Sequence, residues 1–478
     1  MIVTADRRPA LGRLIAVLLT LAGTYGSAST AHADGVGGPT TPLDAEGCVR
    51  WALSHSPKVA EAQARVRQWE ARLAEVESTY WPKLNALGFV APTFAVKGTG
   101  AEPRVSYDFA PKAWGPYARL QATLAWPIYS FGRVEAGETA AKQRALVESA
   151  RVREARNILA LEIRRLYAIH LYARSLVPTL EFARTTVGDA LNRAQELYAE
   201  GTGKVTQVDL DRLSYGQLEV ARLHRLAQDG ADLARQALKQ ALDMPDEMTL
   251  TLAQARLPNS DDIATLPPRE ALLQWAAQQR PEWQQIDHGL RATEALAKAE
   301  LRASAPVLAV GGQLELGWTP NRDDDPNPYH YDPYNIIAGG IAVGFLWNFD
   351  PMAAMARSAA AKAMGQEVQA QARFAASGIP LQVRKSLADF NRQIELAQGT
   401  TAQVKAAQRW LTFAAAAYTT GTGEARDVMD GLVAFVQAKR THYEGLRDVL
   451  VARAEVLFAV GCDIDPGGNW SLPTPAVP

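Results

Sequence analysis

The sequence predicts a mainly α-helical protein with one β-hairpin in each of two copies of a helix–hairpin–helix unit. Three observations lead to this fold class. Residues recur between the two halves at a nearly constant offset, which is typical of a tandem duplication. Segments in both halves alternate apolar and polar residues with the period of a strand. Very long segments place apolar residues three and four positions apart, the spacing of packed helices.

The repeat is clearest at the start of each half, where four residues recur 224 positions later. They are Glu46, Trp51, Ala52 and Pro57, matched by Glu270, Trp275, Ala276 and Pro281. A second match relates Tyr198 and Gly201-Thr202-Gly203 to Tyr418 and Gly421-Thr422-Gly423, at an offset of 220. The changed offset indicates a small net deletion in the second copy. We therefore expect a first repeat over 34–244, a linker over 245–268, a second repeat over 269–464 and a tail over 465–478.

Each repeat should open with helices, continue through a hairpin and close with a long helix and a return helix. In the first repeat the predicted helices are 43–80, 133–199 and 204–244. In the second they are 269–304, 352–420 and 424–462. Pro57 and Pro281 suit the first turn of a helix, where a missing N–H costs little. The longest helices should reach about 100 Å, and Pro178 and Pro380 should kink them or mark breaks.

The hairpins are predicted at about 83–131 and 307–349, with alternation clearest in three segments. Their apolar rows are Leu120, Leu124, Trp126 and Ile128, then Leu308, Val310, Leu314, Leu316 and Trp318, then Ile337, Ile341, Val343, Phe345 and Trp347. Strands of roughly 10–14 residues are long enough to cross a bilayer when tilted. The alternative is a soluble β-sandwich with one wet face. Two matching hairpins in an otherwise helical chain favour a transmembrane barrel.

Four strands in one chain cannot close such a barrel, since the smallest outer-membrane barrels have about eight. Other subunits must complete it, and three copies would supply twelve strands. The strand count requires an oligomer without choosing three.

Composition argues against several classes of function. The formal net charge is −1, and 21% of the residues are charged, so no strong field points to nucleic acid. The histidines are scattered, and no catalytic, metal-ligand or phosphate-binding motif is present. We expect neither an enzyme nor a cofactor.

Residues 1–33 are predicted to be an export signal. Arg7, Arg8 and Arg13 precede the apolar run 14–21, and Ala31-His32-Ala33 fits a cleavage site. The alternative is an uncleaved anchor, for which the run is short. Two cysteines, Cys48 and Cys462, could form a disulfide in an oxidising compartment or remain separate buried thiols.

Together the signal, the duplicated opening, the hairpins, the very long helices and the Tyr-x-x-Gly turns resemble the TolC family over about residues 42–464. The segment from Trp126 to Arg133 is similar to the family's junction between strand and long helix. The resemblance implies a homotrimer with a twelve-stranded outer-membrane barrel, four strands per chain, continued by a long α-helical barrel in the periplasm. It implies an exit duct for efflux or secretion that works with a periplasmic adaptor and an inner-membrane pump.

Two groups of site residues follow from the resemblance. Asp427 and Asp430 match the constriction at the tunnel tip, where each would form a ring of like charges that favours cations; their alternative role is to stabilise the first turns of a helix through its dipole. The turns Gly201, Thr202 and Gly203, and Gly421, Thr422 and Gly423, are candidate adaptor contacts, or serve only to reverse the chain.

The competing interpretation is a soluble periplasmic coiled-coil scaffold or adaptor. Such a protein has no reason to keep apolar outward faces on both hairpins, and it should dissolve without detergent.

Overall fold

The computed structural model describes residues 41–98, 105–201, 205–263, 266–323, 332 and 334–463. The predicted export signal, Thr202 and Gly203 of the first turn, and the predicted tail lie outside these residues. The helices are α1 (Ala45–His55), α2 (Pro57–Glu77), α3 (Arg133–Ala199), α4 (Gln207–Ala241), α5 (Arg269–Gln279), α6 (Pro281–Leu301), α7 (Pro351–Thr419) and α8 (Ala425–Val460). The strands are β1 (Lys83–Thr93), β2 (Ala95–Lys97), β3 (Ser106–Asp108), β4 (Gly115–Tyr129), β5 (Val307–Trp318) and β6 (Ile336–Leu346).

The repeated residues determine where the helices begin. Pro57 and Pro281 are the first residues of α2 and α6, so each proline ends the short helix before it and starts the longer one. The long helices α3 and α7 contain 67 and 69 residues. Pro178 and Pro380 lie inside them, and both helices continue through these prolines without a break.

The helices form two layers, one next to the sheet and one toward the turns. The long helices α3 and α7 run through both layers. Next to the sheet, α3 lies between α2 and α6, and α6 lies between α3 and α7. Toward the two turns, α3 lies between α4 and α8, and α8 lies between α3 and α7. None of the helices in the described part of the chain combines the length and apolar character needed to cross a bilayer.

Two buried cores hold these layers together. One core, here called the belt, joins α1, α5 and the linker to α3, α7 and α8. An ion pair supports it, because the buried Arg164 guanidinium donates to both Glu46 carboxylate oxygens at 2.8 and 2.7 Å. The other core joins α3, α4, α7 and α8 near the turns.

Both cysteines contribute to the belt. Cys48 is buried, Cys462 is half-buried, and no disulfide joins the two in the structure. Burial, together with Asp44 and Glu46, raises the pKa of the Cys48 thiol to about 12. The Cys48 thiolate is therefore disfavoured, which makes this thiol a weak nucleophile.

The four long strands form one antiparallel sheet in the order β1-β4-β5-β6. The two repeats meet at its centre, where β4 of the first pairs with β5 of the second. The short strands β2 and β3 form a separate ribbon beyond the end of β1. Residues 83–93, which alternate poorly in sequence, form β1.

Candidate functional site

The sheet separates its side chains by face. Residues paired across an antiparallel sheet lie on the same face, so the register connects Leu84, Leu124, Gly312 and Ile341 in one row. Other rows on this face contain Leu120, Leu316 and Ile337, and Trp126, Val310 and Val343. This apolar face is continuous over all four strands, and several of its side chains are strongly exposed, Ile341 by 80%.

The opposite face is polar near the centre of the sheet. It carries Asn85, Gln121, Thr123 and Gln313, and an ion pair between Arg119 and Glu315. On β6 this face has only small residues between Ala338 and Gly344. The sheet therefore presents one surface suited to lipid and another suited to water, as the alternation in the sequence predicts.

Both sides of the molecule end in open edges. Among the described residues, β1 and β6 each pair with a single neighbour, so each has one edge of free backbone donors and acceptors. The helical layers end in α2 and α4 on the side of the first repeat, and in α7 on the side of the second.

Apolar stripes lie along the helices at these edges. On α4, Val208, Tyr215, Leu226 and Leu233 are spaced so that they return to one side of the helix, and they are 54–71% exposed. On α7 the exposed large apolar residues between positions 374 and 413 are Phe374, Leu381, Leu396, Trp410 and Phe413, at 49–79%. Exposed apolar side chains concentrated on one side of an edge helix are typical of an interaction surface.

A glycine in the left-handed conformation follows each long helix. Gly201 and Gly421 have φ of +66° and +78°, the left-handed conformation that favours glycine at the end of a helix. In the second turn, the amides of Thr422 and Gly423 both donate to the carbonyl of Ala417, at 2.9 and 3.0 Å. These glycines reverse the chain, whatever else they contact.

Gly423 has no room for a side chain, because an added Cβ would lie 2.9 Å from the Tyr418 nitrogen and 3.0 Å from the Ala417 carbonyl carbon. We predict that Gly423→Ala destabilises the protein by roughly 1–3 kcal/mol, since backbone must shift to accept the methyl group. Thermal unfolding followed by circular dichroism at the helix band measures the effect.

Gly399→Ala is the matched control, because nothing lies within 4 Å of the added Cβ in the middle of α7. It should stabilise the protein by up to about 1 kcal/mol through helix propensity. Equal shifts for the two variants would contradict this description of the turn.

The two aspartates predicted at the tip are exposed on the first turns of α8. Asp430 forms an ion pair with Arg426, one helical turn earlier, with 3.5 Å between Arg426 Nε and Asp430 Oδ2. Both side chains are more than half exposed, so this pair contributes little to stability, although it offsets the charge of Asp430. Sequence reasoning missed Arg426, even though an arginine four residues before an aspartate on a helix is a visible signal.

The tip of the first repeat differs from that of the second. Thr206 and Asp209 form a capping box at the start of α4, whereas Glu424 gives α8 no side-chain cap. Gln207 donates to Asp211 on its own helix at 3.0 Å. Within the described parts of the chain, no cluster of three or more histidine, cysteine or acidic side chains could hold a metal.

Comparison with known proteins agrees with this arrangement. Residues 272–462, nearly all of the second repeat, match the family model for outer membrane efflux proteins. No curated protein sequence matches the chain.

Solved structures share the fold over most of the chain. The outer-membrane channel OprN is 17% identical, with a TM-score of 0.68 over 89% of this chain and 90% of that one. CusC is 16% identical, with a TM-score of 0.68 over 90% and 95%. VceC from Vibrio cholerae is 16% identical, with a TM-score of 0.64 over 87% and 96%. The second half of the chain thus matches the outer membrane efflux protein family, and the fold over most of the chain is similar to that of solved outer-membrane channels.

Proposed function

We propose that this chain is one of three identical subunits of an outer-membrane exit duct, which carries molecules outward from a periplasmic adaptor and an inner-membrane pump. The observation that carries the proposal is the four-stranded sheet with one apolar face and two open edges. In a water-soluble protein, other elements would bury such an apolar face, whereas in a membrane the face would contact lipid.

Ring closure follows from the open edges. In a head-to-tail ring, β6 of one subunit would pair with β1 of the next, and no sheet edge would remain. Four strands per subunit make at least two copies necessary for a barrel of eight. The family resemblance favours three copies and twelve strands.

The same ring would cover the apolar stripes. The edge helices α4 and α7 both reach the turns, α4 at its first residue and α7 at its last. They would therefore meet as antiparallel neighbours between subunits, with the stripe of one against that of the other. One arrangement thus explains the open edges of the sheet and of the helical layers.

The tip is proposed to be both the constriction and the contact with the adaptor. Asp427 and Asp430 of three subunits would form two acidic rings, the second partly offset by Arg426. Gly201, Thr202 and Gly203, and Gly421, Thr422 and Gly423, are the proposed contacts with an adaptor, because each set follows the last residue of a long helix in the sequence.

Membrane fractionation followed by native mass determination in detergent tests the proposal. The expected result is an outer-membrane fraction, a mass three times that of the processed chain, and conductance in a planar bilayer. A soluble monomer would refute the duct and return the chain to the class of periplasmic scaffolds.

Ion selectivity tests the tip. We predict that Asp427→Ala lowers the preference for cations, and that Arg426→Gln raises it by releasing the charge of Asp430. Each should change the cation-to-anion permeability ratio by about twofold, because each alters a ring of three charges. Reversal potentials across a salt gradient measure the ratio. Unchanged selectivity in both variants would exclude the constriction role.

A further inference from the structure

A groove of about 1050 Å³ lies where α2, α3, α6 and α7 pass beneath the sheet. Small and apolar residues form much of its wall, among them Gly137, Ala140, Ala141, Ala292 and Leu296. The volume is that of a site for a drug-sized molecule.

Arginines concentrate around one aromatic ring in this groove. The guanidinium carbons of Arg72 and Arg144 lie 4.7 and 5.3 Å from the centroid of the Trp69 ring. Arg133 also lines the groove, and its acidic residues are Glu75 and Glu300. Glu300 is already engaged, since Arg357 Nε donates to it at 2.8 Å. Positive charge therefore prevails around Trp69.

An ion pair with a buried glutamate fixes the guanidinium group of Arg144. Its Nη2 lies 3.2 Å from Glu148, which is only 3% exposed and also accepts from Arg151 at 2.9 Å. One carboxylate shared by two guanidinium groups leaves a net positive charge. The Arg144 side chain is 38% exposed, so the ion pair fixes its position while it can still bind a ligand.

The groove lies on the side of α2 away from the belt. Arg67 and Glu70 line a different cavity together with Asp463, which adjoins the belt. Glu70 and Arg72 are two residues apart, which places them on opposite sides of a helix. In the proposed ring, the belt would lie on the outer surface. The groove, on the other side of α2, would then face the conduit.

We propose that this groove binds organic anions with a flat aromatic body. The carboxylate or sulfonate would be held by Arg72 and Arg144 through charge-assisted hydrogen bonds, and the aromatic body would pack against Trp69 and the small residues of the wall. The inference rests on the proposed function only for the position of the groove inside a conduit.

Calorimetric titration of the purified full-length assembly in detergent tests it, with naphthalene-1,5-disulfonate as the probe. Arg72→Gln and Arg144→Gln should each weaken binding by about tenfold, the loss of one charged contact. Arg67→Gln, on the other side of α2, is the matched control and should bind as the unaltered protein does. Trp69→Phe keeps a ring and should bind more tightly than Trp69→Ala. Helical circular dichroism identifies any variant that fails to fold.

Equal binding by the Arg72, Arg144 and Arg67 variants would overturn the proposal, as would loss confined to Arg67→Gln. Conductance is measured separately on the same samples. A protein that binds the probe with this residue dependence but conducts no ions would support the anion site and contradict the proposed duct. A protein that conducts ions but shows no such dependence would support the duct and contradict the anion site.

Discussion

Ile341→Arg is expected to reduce insertion into the outer membrane severely, whereas Ala342→Arg is expected to be tolerated. The two residues are neighbours at the centre of β6, and both are exposed in the protomer. The register places Ile341 on the apolar face, beside Gly312, and Ala342 on the other face, beside Gly311. Arginine facing lipid at the middle of a bilayer costs roughly 2–4 kcal/mol, so a trimer would lose roughly 6–12 kcal/mol.

Quantification of each variant in outer-membrane and soluble fractions measures the effect. The adjacent positions make the comparison strict, because both variants add the same charge at the same depth. If both variants insert equally, the apolar face does not contact lipid. If only Ala342→Arg fails, the faces of the sheet are assigned the wrong way round.

Cross-linking between Tyr215 and Trp410 is expected to join subunits into a covalent ring. Tyr215 lies eight residues after the start of α4, and Trp410 lies nine residues before the end of α7. At 1.5 Å per residue they are about 12 and 14 Å from the turns. They are 71% and 49% exposed in the protomer. In the proposed ring they would face each other between neighbouring subunits.

The variant Tyr215→Cys/Trp410→Cys should therefore give bands at two and three times the protomer mass when treated with a short bismaleimide. Tyr215→Cys/Leu381→Cys is the control, because Leu381 lies about 57 Å from the turn by the same rise. Single-cysteine variants test whether Cys48 or Cys462 reacts. Cross-linking of the control pair, or none with the test pair, would show that α4 and α7 are not neighbours in this register.

Much of this architecture can be predicted from the sequence because it depends on local and periodic signals. Prolines at 57 and 281 mark helix starts by their fixed φ. Period-two alternation around Ile341 and Val343 predicts which side chains share a face. The prolines inside the long helices do not end them, however, since α3 and α7 continue through Pro178 and Pro380. Neighbouring helices pack along these segments and stabilise them beyond intrinsic propensity.

The candidate sites depend more on the tertiary structure. The family resemblance suggested Asp427 and Asp430 as constriction residues, which stays a prediction. It did not point to Arg426, whose side chain pairs with Asp430. The arginines around Trp69 come from separate helices, α2 and α3, so no spacing along the chain connects them. The sequence also does not reveal that the backbone of Ala417 and Tyr418 leaves no room for a side chain at Gly423.

By itself the sequence determined the duplication, the order of helices and strands, and the faces of the hairpins, because each depends on residues close together in the chain. Only the tertiary structure decided the order β1-β4-β5-β6, the positions of α4 and α7 at the open edges, and the groove around Trp69. These features arise from packing between elements far apart in sequence, where burial and register, rather than local preference, select the partner.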